Sequence, residues 1–163
     1  MTRRAVVTTA FAAVLAVVAA LAWWHAIDRP DGKAAARSAV MAAAAQATTT
    51  LMTQRPGDPA VRGDVAAVLT GRLADEYASQ GADVVLPGAL GQQMSLTARV
   101  VGTGVADLHG SRARVLLFVD LWAAPKAAAG QPERVALVRW AAMRNVDGTW
   151  LLAGLTPVGG AVS

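Results

Sequence analysis

An apolar stretch near the amino terminus constrains this chain more than any other feature. Residues 5–27 hold no charged side chain, whereas Arg3 and Arg4 precede them and Asp28 follows. A helix rises about 1.5 Å per residue, so such a stretch is long enough to cross the roughly 30 Å hydrocarbon core of a bilayer. We therefore predict a single transmembrane helix over residues 5–27.

The residues beside this stretch predict its orientation. Basic residues stay preferentially on the cytoplasmic side, so Arg3 and Arg4 keep residues 1–4 in the cytoplasm. Trp23 and Trp24 suit the opposite interface, where an indole ring is in the apolar zone and its N–H near water. The interpretation is a single-pass protein of the plasma membrane, with everything after the helix outside the cytoplasm.

A cleaved signal peptide is the alternative interpretation of the same stretch. Residues 2–4 form a basic start, and Ala20-Leu21-Ala22 matches an A-x-A cleavage site. However, the apolar run continues through the two tryptophans, beyond the usual hydrophobic segment of about 7–15 residues. Both interpretations export the remainder of the chain.

Charge and composition exclude several functions for the exported part. There is no cysteine, which removes disulfides, thiolate nucleophiles and cysteine-based metal sites. The pI near 10.6 is partly due to Arg3, Arg4 and Arg29 around the anchor. Of 15 Lys and Arg and 11 Asp and Glu in the chain, twelve and ten lie after residue 30, a nearly balanced surface. We therefore expect no nucleic-acid partner, because phosphate binding needs a clustered basic face.

Two helical segments follow a predicted linker at residues 28–32. The first, over residues 33–54, places on one face Val40, Met41, Ala44, Thr48, Leu51 and Met52. We expect this face to pack in the domain's own core, and we also consider Val40, Met41 and Ala44 as partner or lipid contacts. The second segment begins at Asp58 and Pro59 and continues to Tyr77, with Gly71 predicted to kink or divide it.

The pattern changes to strands from Met94. Segments 96–105, 112–122, 134–144 and 150–155 are rich in Val, Leu and Trp and are separated by turn residues, among them Asp147-Gly148. Gly102 and Gly104 predict a bulge or bend in the first strand. Residues 33–163 thus read as one α+β domain, with helices packed on a curved four-stranded antiparallel sheet.

The order of these parts, together with several short motifs, resembles a known family. The motifs are Val68-Leu69-Thr70-Gly71, Glu76-Tyr77 and, near the end of the chain, Asp147-Gly148-Thr149-Trp150-Leu151. They are similar to those of the Mce-associated membrane proteins of mycobacteria and related actinobacteria, and nearly the whole chain takes part in the resemblance. The chain departs from the family in having Leu73 where phenylalanine is frequent.

The resemblance implies a fold and a role. The implied fold is an NTF2-like and VirB8-like cone in the cell envelope. The implied role is that of an accessory, stabilising subunit of an Mce complex that imports lipids, with the permease and the substrate-binding Mce proteins as its partners. The family supplies no catalytic residue and no cofactor to carry over.

The polar residues that could support chemistry are few. Asp120 lies in an apolar strand, where a carboxylate facing a pocket could act as a general base, as in isomerase-like NTF2 domains, with Tyr77 as its partner. The alternative is that Asp120 points outward or pairs with an arginine on the next strand, such as Arg139. His25 and His109 are far apart, and the carboxylates have no ligand spacing, so we expect no metal site.

Three tryptophans on predicted strands, Trp122, Trp140 and Trp150, could form either a lipid or partner platform or part of the core. We favour the core, with Trp122, near a strand end, as the one expected to be partly exposed. The function that we predict is the one that the resemblance implies, a non-enzymatic accessory subunit of an Mce-type lipid importer. The alternative is a tethered, independently acting lipid-binding or isomerase-like domain, which would require Asp120 or Tyr77 to line an open cavity.

Overall fold

The computed structural model describes residues 30–55, 59–84, 94–125 and 132–159. By their contacts, Met1–Arg37 and Ser38–Ser163 form two compact units. The predicted transmembrane helix, with Arg3, Arg4, Trp23 and Trp24, lies outside the described residues. In the part of the chain that the structure describes, no helix combines the length and the apolar character needed to span a bilayer.

Within the described residues, three α-helices precede the sheet, and the first begins at Pro30, inside the linker predicted at residues 28–32. Helix α1 covers Pro30–Met52, since proline is well suited to the first helical position and does not interrupt the helix there. Helices α2, Pro59–Val68, and α3, Gly71–Gln80, are followed by a 3₁₀ turn over Gly81–Val84. Residues 33–52 of the first predicted helix are confirmed.

The predicted division at Gly71 is also confirmed. Gly71 has φ +59°, a left-handed conformation that costs glycine little and other residues more. Immediately before it, Leu69 forms a parallel bridge with Leu152, and the Thr70 N–H donates to the Leu152 carbonyl at 2.9 Å. The break between α2 and α3 therefore allows the chain to bond to the edge of the sheet.

The sheet is the predicted antiparallel meander of four strands. Its strands are β1 Met94–His109, β2 Arg112–Pro125, β3 Glu133–Val146 and β4 Thr149–Pro157, in the spatial order β1-β2-β3-β4. Between β3 and β4, Asp147 and Gly148 have φ 49° and 88°, the two positive values that a tight primed turn requires. The turn chemistry of Asp147-Gly148 thus fixes this hairpin.

Two bulges interrupt the first strand: the first lies beside Gly102, as predicted, whereas Gly104 pairs regularly with Leu116 and the second bulge lies beyond it. The pairing of β1 with β2 shifts between Val100 and Gly102 and again between Val105 and Asp107. At Gly102 a Cβ atom would lie 3.2 Å from Cδ2 of Phe118, so the aromatic ring packs directly on the glycine. Bulges increase the local twist of a strand and bend it.

The core lies between the helices and one face of the sheet. Helix α1 contributes Val40, Ala44, Ala47, Thr48, Leu51 and Met52, and β2 contributes Val115, Leu117, Val119 and Leu121, all buried. The predicted inward face of α1 is confirmed. Because Val40 and Ala44 have no exposed surface, they are not available as partner or lipid contacts, and Met41 is only half-exposed.

Candidate interaction surface

Alternation along β2 divides the sheet into an inner and an outer face. Odd-numbered residues 113–121 are buried against the helices, whereas Arg112, Arg114 and Phe118 are exposed. The register pairs even-numbered residues 112–122 of β2 with even-numbered residues 134–144 of β3. Directly opposed side chains share a face. We call these two sets, with their partners on β1 and β4, the outer sheet face.

The middle of the outer sheet face is apolar and aromatic. Leu116 is opposite Trp140, and Phe118 is opposite Val138. Phe118 is 46% exposed and Val138 36%, and neither belongs to the buried core. Contiguous exposed apolar side chains on a soluble domain are typical of a binding surface.

Arginines surround this apolar centre. Arg99, Arg112, Arg114, Arg134 and Arg144 are exposed on the outer sheet face, with Asp107 and Asp120 as its aspartates. The Arg114 guanidinium carbon lies 4.2 Å from the centre of the Trp140 ring, a cation–π contact. The surface therefore presents positive charge and aromatic rings together.

Asp120 belongs to this outer face. Its Oδ2 accepts a hydrogen bond of 2.6 Å from Nη2 of Arg134, and its side chain is 9% exposed against 60% for that of Arg134. The same guanidinium lies 5.8 Å from the ring centre of Trp122. The prediction that Asp120 pairs with an arginine of the next strand is confirmed, but the partner is Arg134 and not Arg139. Asp120 pairs with Arg134 because both side chains lie on even-numbered positions of neighbouring strands.

Arg139 occupies an odd-numbered position opposite the buried Leu117, and it lies on the inner side of the sheet. Burial lowers the pKa of its guanidinium from the ordinary value, because the charged form loses solvation. Its Nη1 donates to the Val138 carbonyl at 3.3 Å. This residue cannot share a face with Asp120, which explains why the two do not pair.

The structure does not bring Asp120 and Tyr77 together. Tyr77 is buried among the core side chains of α3 and the inner face, whereas Asp120 is on the outer face. A base and an acid acting on one substrate must reach the same cavity. These two residues do not form the pocket that the isomerase-like alternative needs.

The three strand tryptophans separate between the two faces. Trp150 packs against the core, as predicted, whereas Trp122 and Trp140 lie half-exposed on the outer sheet face. The preference for a core position was therefore wrong for Trp140. Trp122 is partly exposed, as expected.

A groove runs between α1, α2 and the β3–β4 hairpin. It has a volume of about 340 Å³ and is lined by Ala43, Gln46, Ala47, Ala67, Val68 and residues 148–151. None of the described residues that line it has an ionisable side chain, and neither Asp120 nor Tyr77 is among them. The groove offers space but no chemistry of its own.

Within the described residues, no three His, Asp or Glu side chains are grouped so that they could hold a metal ion.

The arginines of the outer sheet face were not singled out from the sequence. A signal was present, since Arg112 and Arg114 alternate with buried apolar residues of β2. On β3, however, apolar residues occupy both faces, and the alternation does not show where Arg134 and Arg144 point.

Comparison with solved structures defines the class of this fold. The chain aligns with an IcmL-like type IV secretion system protein from Legionella pneumophila at a TM-score of 0.59 and 11% identity, covering 78% of this chain and 96% of that one. It aligns with CagV, a VirB8 homologue from Helicobacter pylori, at a TM-score of 0.58 and 6% identity. This alignment covers 74% of this chain and 98% of that one. The protein therefore has the NTF2/VirB8-like fold.

Sequence comparison then gives the family. No family model matches the chain. The outer membrane protein Rv1973 of Mycobacterium tuberculosis is 35% identical over 133 residues, which cover 77% of this chain and 78% of that protein. The uncharacterised protein Rv1362c of the same species is 33% identical over 134 residues, or 80% of this chain and 59% of that protein. The chain belongs to the mycobacterial family that contains the outer membrane protein Rv1973.

Proposed function

We propose that this protein is a non-enzymatic, accessory subunit of an Mce-type lipid import complex in the cell envelope. In this proposal residues 5–27 form a single-pass anchor beside the permease, and the unit Ser38–Ser163 stands on the outer side of the membrane. There it stabilises the transporter or its substrate-binding Mce proteins. The lipid itself would pass through the other subunits.

The observation that carries the proposal is the outer sheet face. It exposes arginines around an aromatic centre, while Asp120 and Tyr77, the pair that an isomerase-like site would need, lie on opposite sides of the sheet. Surfaces enriched in arginine and aromatic residues are typical of binding rather than of catalysis. The geometry therefore favours a role in binding at the membrane over catalysis, and in this proposal the anchor makes the contact with the permease.

The comparisons support an envelope location. The relative at 35% identity is named an outer membrane protein, and two proteins of the same fold are named as, or homologous to, parts of type IV secretion systems. Together with the apolar stretch at residues 5–27, these names fit a domain held at a membrane. The short motifs at Val68-Leu69-Thr70-Gly71 and Asp147-Gly148 support the Mce association.

The test is affinity purification of the tagged full chain from its native membrane in mild detergent, followed by mass spectrometry. We expect Mce permease and substrate-binding subunits to co-purify, and the first residue to be Met1 or Thr2. The same measurement addresses processing, because a chain cleaved after Ala22 would have lost the anchor.

A matched control separates assembly from mere membrane location. In the control, residues 5–27 are replaced by an unrelated transmembrane helix of the same length. We expect the control to reach the membrane and to recover less permease, because the anchor no longer packs on the permease helices. Purification of the natural chain without any Mce subunit would contradict the proposal and favour the tethered, independently acting lipid-binding domain.

A further inference from the structure

We propose that the outer sheet face binds the headgroup surface of a bilayer that contains anionic phospholipid. The occupant is the lipid surface itself, with the arginines contacting phosphate groups and the aromatic centre lying at the interface. Of the proposed function, this inference needs only that Ser38–Ser163 stands beside a membrane. It does not depend on the Mce complex.

The pairing of charges in the sheet is the first argument. Arg112 of β2 lies directly opposite Arg144 of β3, and both are exposed. Like charges in this position destabilise a sheet. Within the described residues, neither arginine has a carboxylate within ion-pair distance. An anion between the two guanidinium groups would remove the repulsion, and phosphate accepts the paired N–H groups of arginine well.

The acidic residues of this face cancel only part of its positive charge. Asp120 is already paired with Arg134, and Asp107 contacts His109, with Oδ1 and Nδ1 2.6 Å apart. Five exposed arginines stand against these two aspartates. The face therefore attracts an anionic surface, and it disfavours a second copy of itself, because the same arginines would meet.

The apolar centre is the second argument. Phe118, Val138 and Trp140 lie next to the arginines, and the Arg114 guanidinium is stacked on Trp140. Tryptophan and arginine are suited to the boundary between headgroups and acyl chains, because each combines an apolar body with a polar end. An aqueous anion would leave these exposed apolar side chains without a partner, whereas a bilayer surface covers both.

The test uses the absence of cysteine from the chain, which makes one introduced thiol unique. A fluorophore sensitive to polarity is attached at Val138→Cys on the outer sheet face. The matched control carries it at Ala78→Cys, an exposed position on α3. The full chain is reconstituted into vesicles of phosphatidylcholine with or without phosphatidylglycerol. Circular dichroism checks that each variant is folded.

Two quenchers distinguish contact of the label with lipid from its exposure to water. A nitroxide on the lipid acyl chain quenches the label only when the label touches the bilayer, and aqueous acrylamide quenches it only when water reaches it. In vesicles with phosphatidylglycerol we expect lipid quenching and acrylamide protection at position 138, and neither at position 78. Raising the salt from about 0.1 M to about 1 M should reverse both, because the Debye length falls from about 10 Å to about 3 Å.

A charge variant identifies the arginines responsible. Arg112→Gln with Arg144→Gln should lower the ratio of docked to free protein about twenty-five-fold, since each basic side chain near an anionic surface changes that ratio about fivefold. The matched control, Arg62→Gln with Arg72→Gln, removes the same charge from the helices and should leave the ratio unchanged.

Three outcomes would overturn the inference. The first is equal quenching at positions 78 and 138, and the second is no lipid quenching at either. The third is acrylamide protection at position 138 that rises with the protein-to-lipid ratio without lipid quenching, which would assign the face to a second copy. Failure here would leave co-purification with Mce subunits as a separate question, so the two proposals can fail independently.

Discussion

At the residue scale, two buried polar side chains, Thr48 of α1 and Asp120 of β2, differ in whether they have a hydrogen-bond partner. Asp120 is a carboxylate that has lost most of its contact with water, and Arg134 compensates for that loss while itself remaining largely exposed. Thr48 presents the opposite case, since its Oγ1 is buried and has no hydrogen-bond partner within the described residues. Each of these situations has a measurable cost.

Replacing Arg134 should expose the cost of burying Asp120. We expect Arg134→Met to lower the free energy of unfolding by about 1–3 kcal/mol, because a buried polar group is left unsatisfied. Chemical denaturation in detergent micelles measures this change in the free energy of unfolding. The control, Arg72→Met, breaks the pair with Glu76, in which the arginine side chain is 88% exposed, and should cost at most about 0.5 kcal/mol. Equal losses for both variants would show that Asp120 does not need Arg134.

Thr48→Val should stabilise the protein. Valine has the same shape without the hydroxyl, so we expect the free energy of unfolding to rise by about 1 kcal/mol. The control is Thr50→Val, which lies on the same helix but is half-exposed, and whose change should stay within about 0.5 kcal/mol of zero. A loss of stability in Thr48→Val would mean that the hydroxyl is bonded in solution.

At the element scale, glycines have different roles in helices and in turns. Gly148 adopts φ 88° between β3 and β4, whereas Gly63 lies exposed within α2 with nothing near the position of a Cβ atom. A methyl group added at these two positions should therefore have opposite effects on stability.

This contrast gives a paired prediction. Gly148→Ala should lower the free energy of unfolding by about 1–2 kcal/mol, because alanine is strained in the left-handed region. Gly63→Ala should raise the free energy of unfolding by about 0.5–1 kcal/mol, because alanine reduces the entropy of the unfolded chain and favours the helix. Thermal unfolding followed by circular dichroism compares them. A stabilising Gly148→Ala would contradict the turn geometry described for the β3–β4 hairpin.

At the scale of the whole molecule, helices and sheet share one core. Leu51 of α1 and Leu117 of β2 are both fully buried in it, and the chain is also hydrogen-bonded between the layers where Gln54 and Leu96 exchange backbone bonds of 2.9 and 3.0 Å. The unit Ser38–Ser163 should therefore unfold as a single cooperative body.

Two core truncations test this cooperativity. Leu51→Ala and Leu117→Ala should each lower the free energy of unfolding by about 2–5 kcal/mol and should shift the same transition. The control, Met41→Ala, removes a half-buried side chain, and it should lower the free energy of unfolding by less than either leucine variant. Two separate transitions, one responding to each leucine, would show that the helix layer and the sheet unfold independently.

Much of the fold could be predicted from local patterns. The 3.6-residue spacing of Val40, Ala44 and Leu51 identified the buried face of α1, and the turn chemistry of Asp147-Gly148 located a hairpin. The bulge at Gly102 was predicted because glycine in a strand marks irregular pairing. These features depend on residues close together in the sequence, and their energetics are largely local.

Tertiary structure alone decided the candidate site. β3 carries apolar residues at both odd and even positions, so its alternation did not show that Trp140 is outside and Arg139 inside. The register of β2 with β3 then selected Arg134 as the partner of Asp120. The sequence by itself determined the elements and their order, through local spacing and turn chemistry. The faces and partners were set by strand pairing, because a shift of one residue would exchange inner and outer side chains.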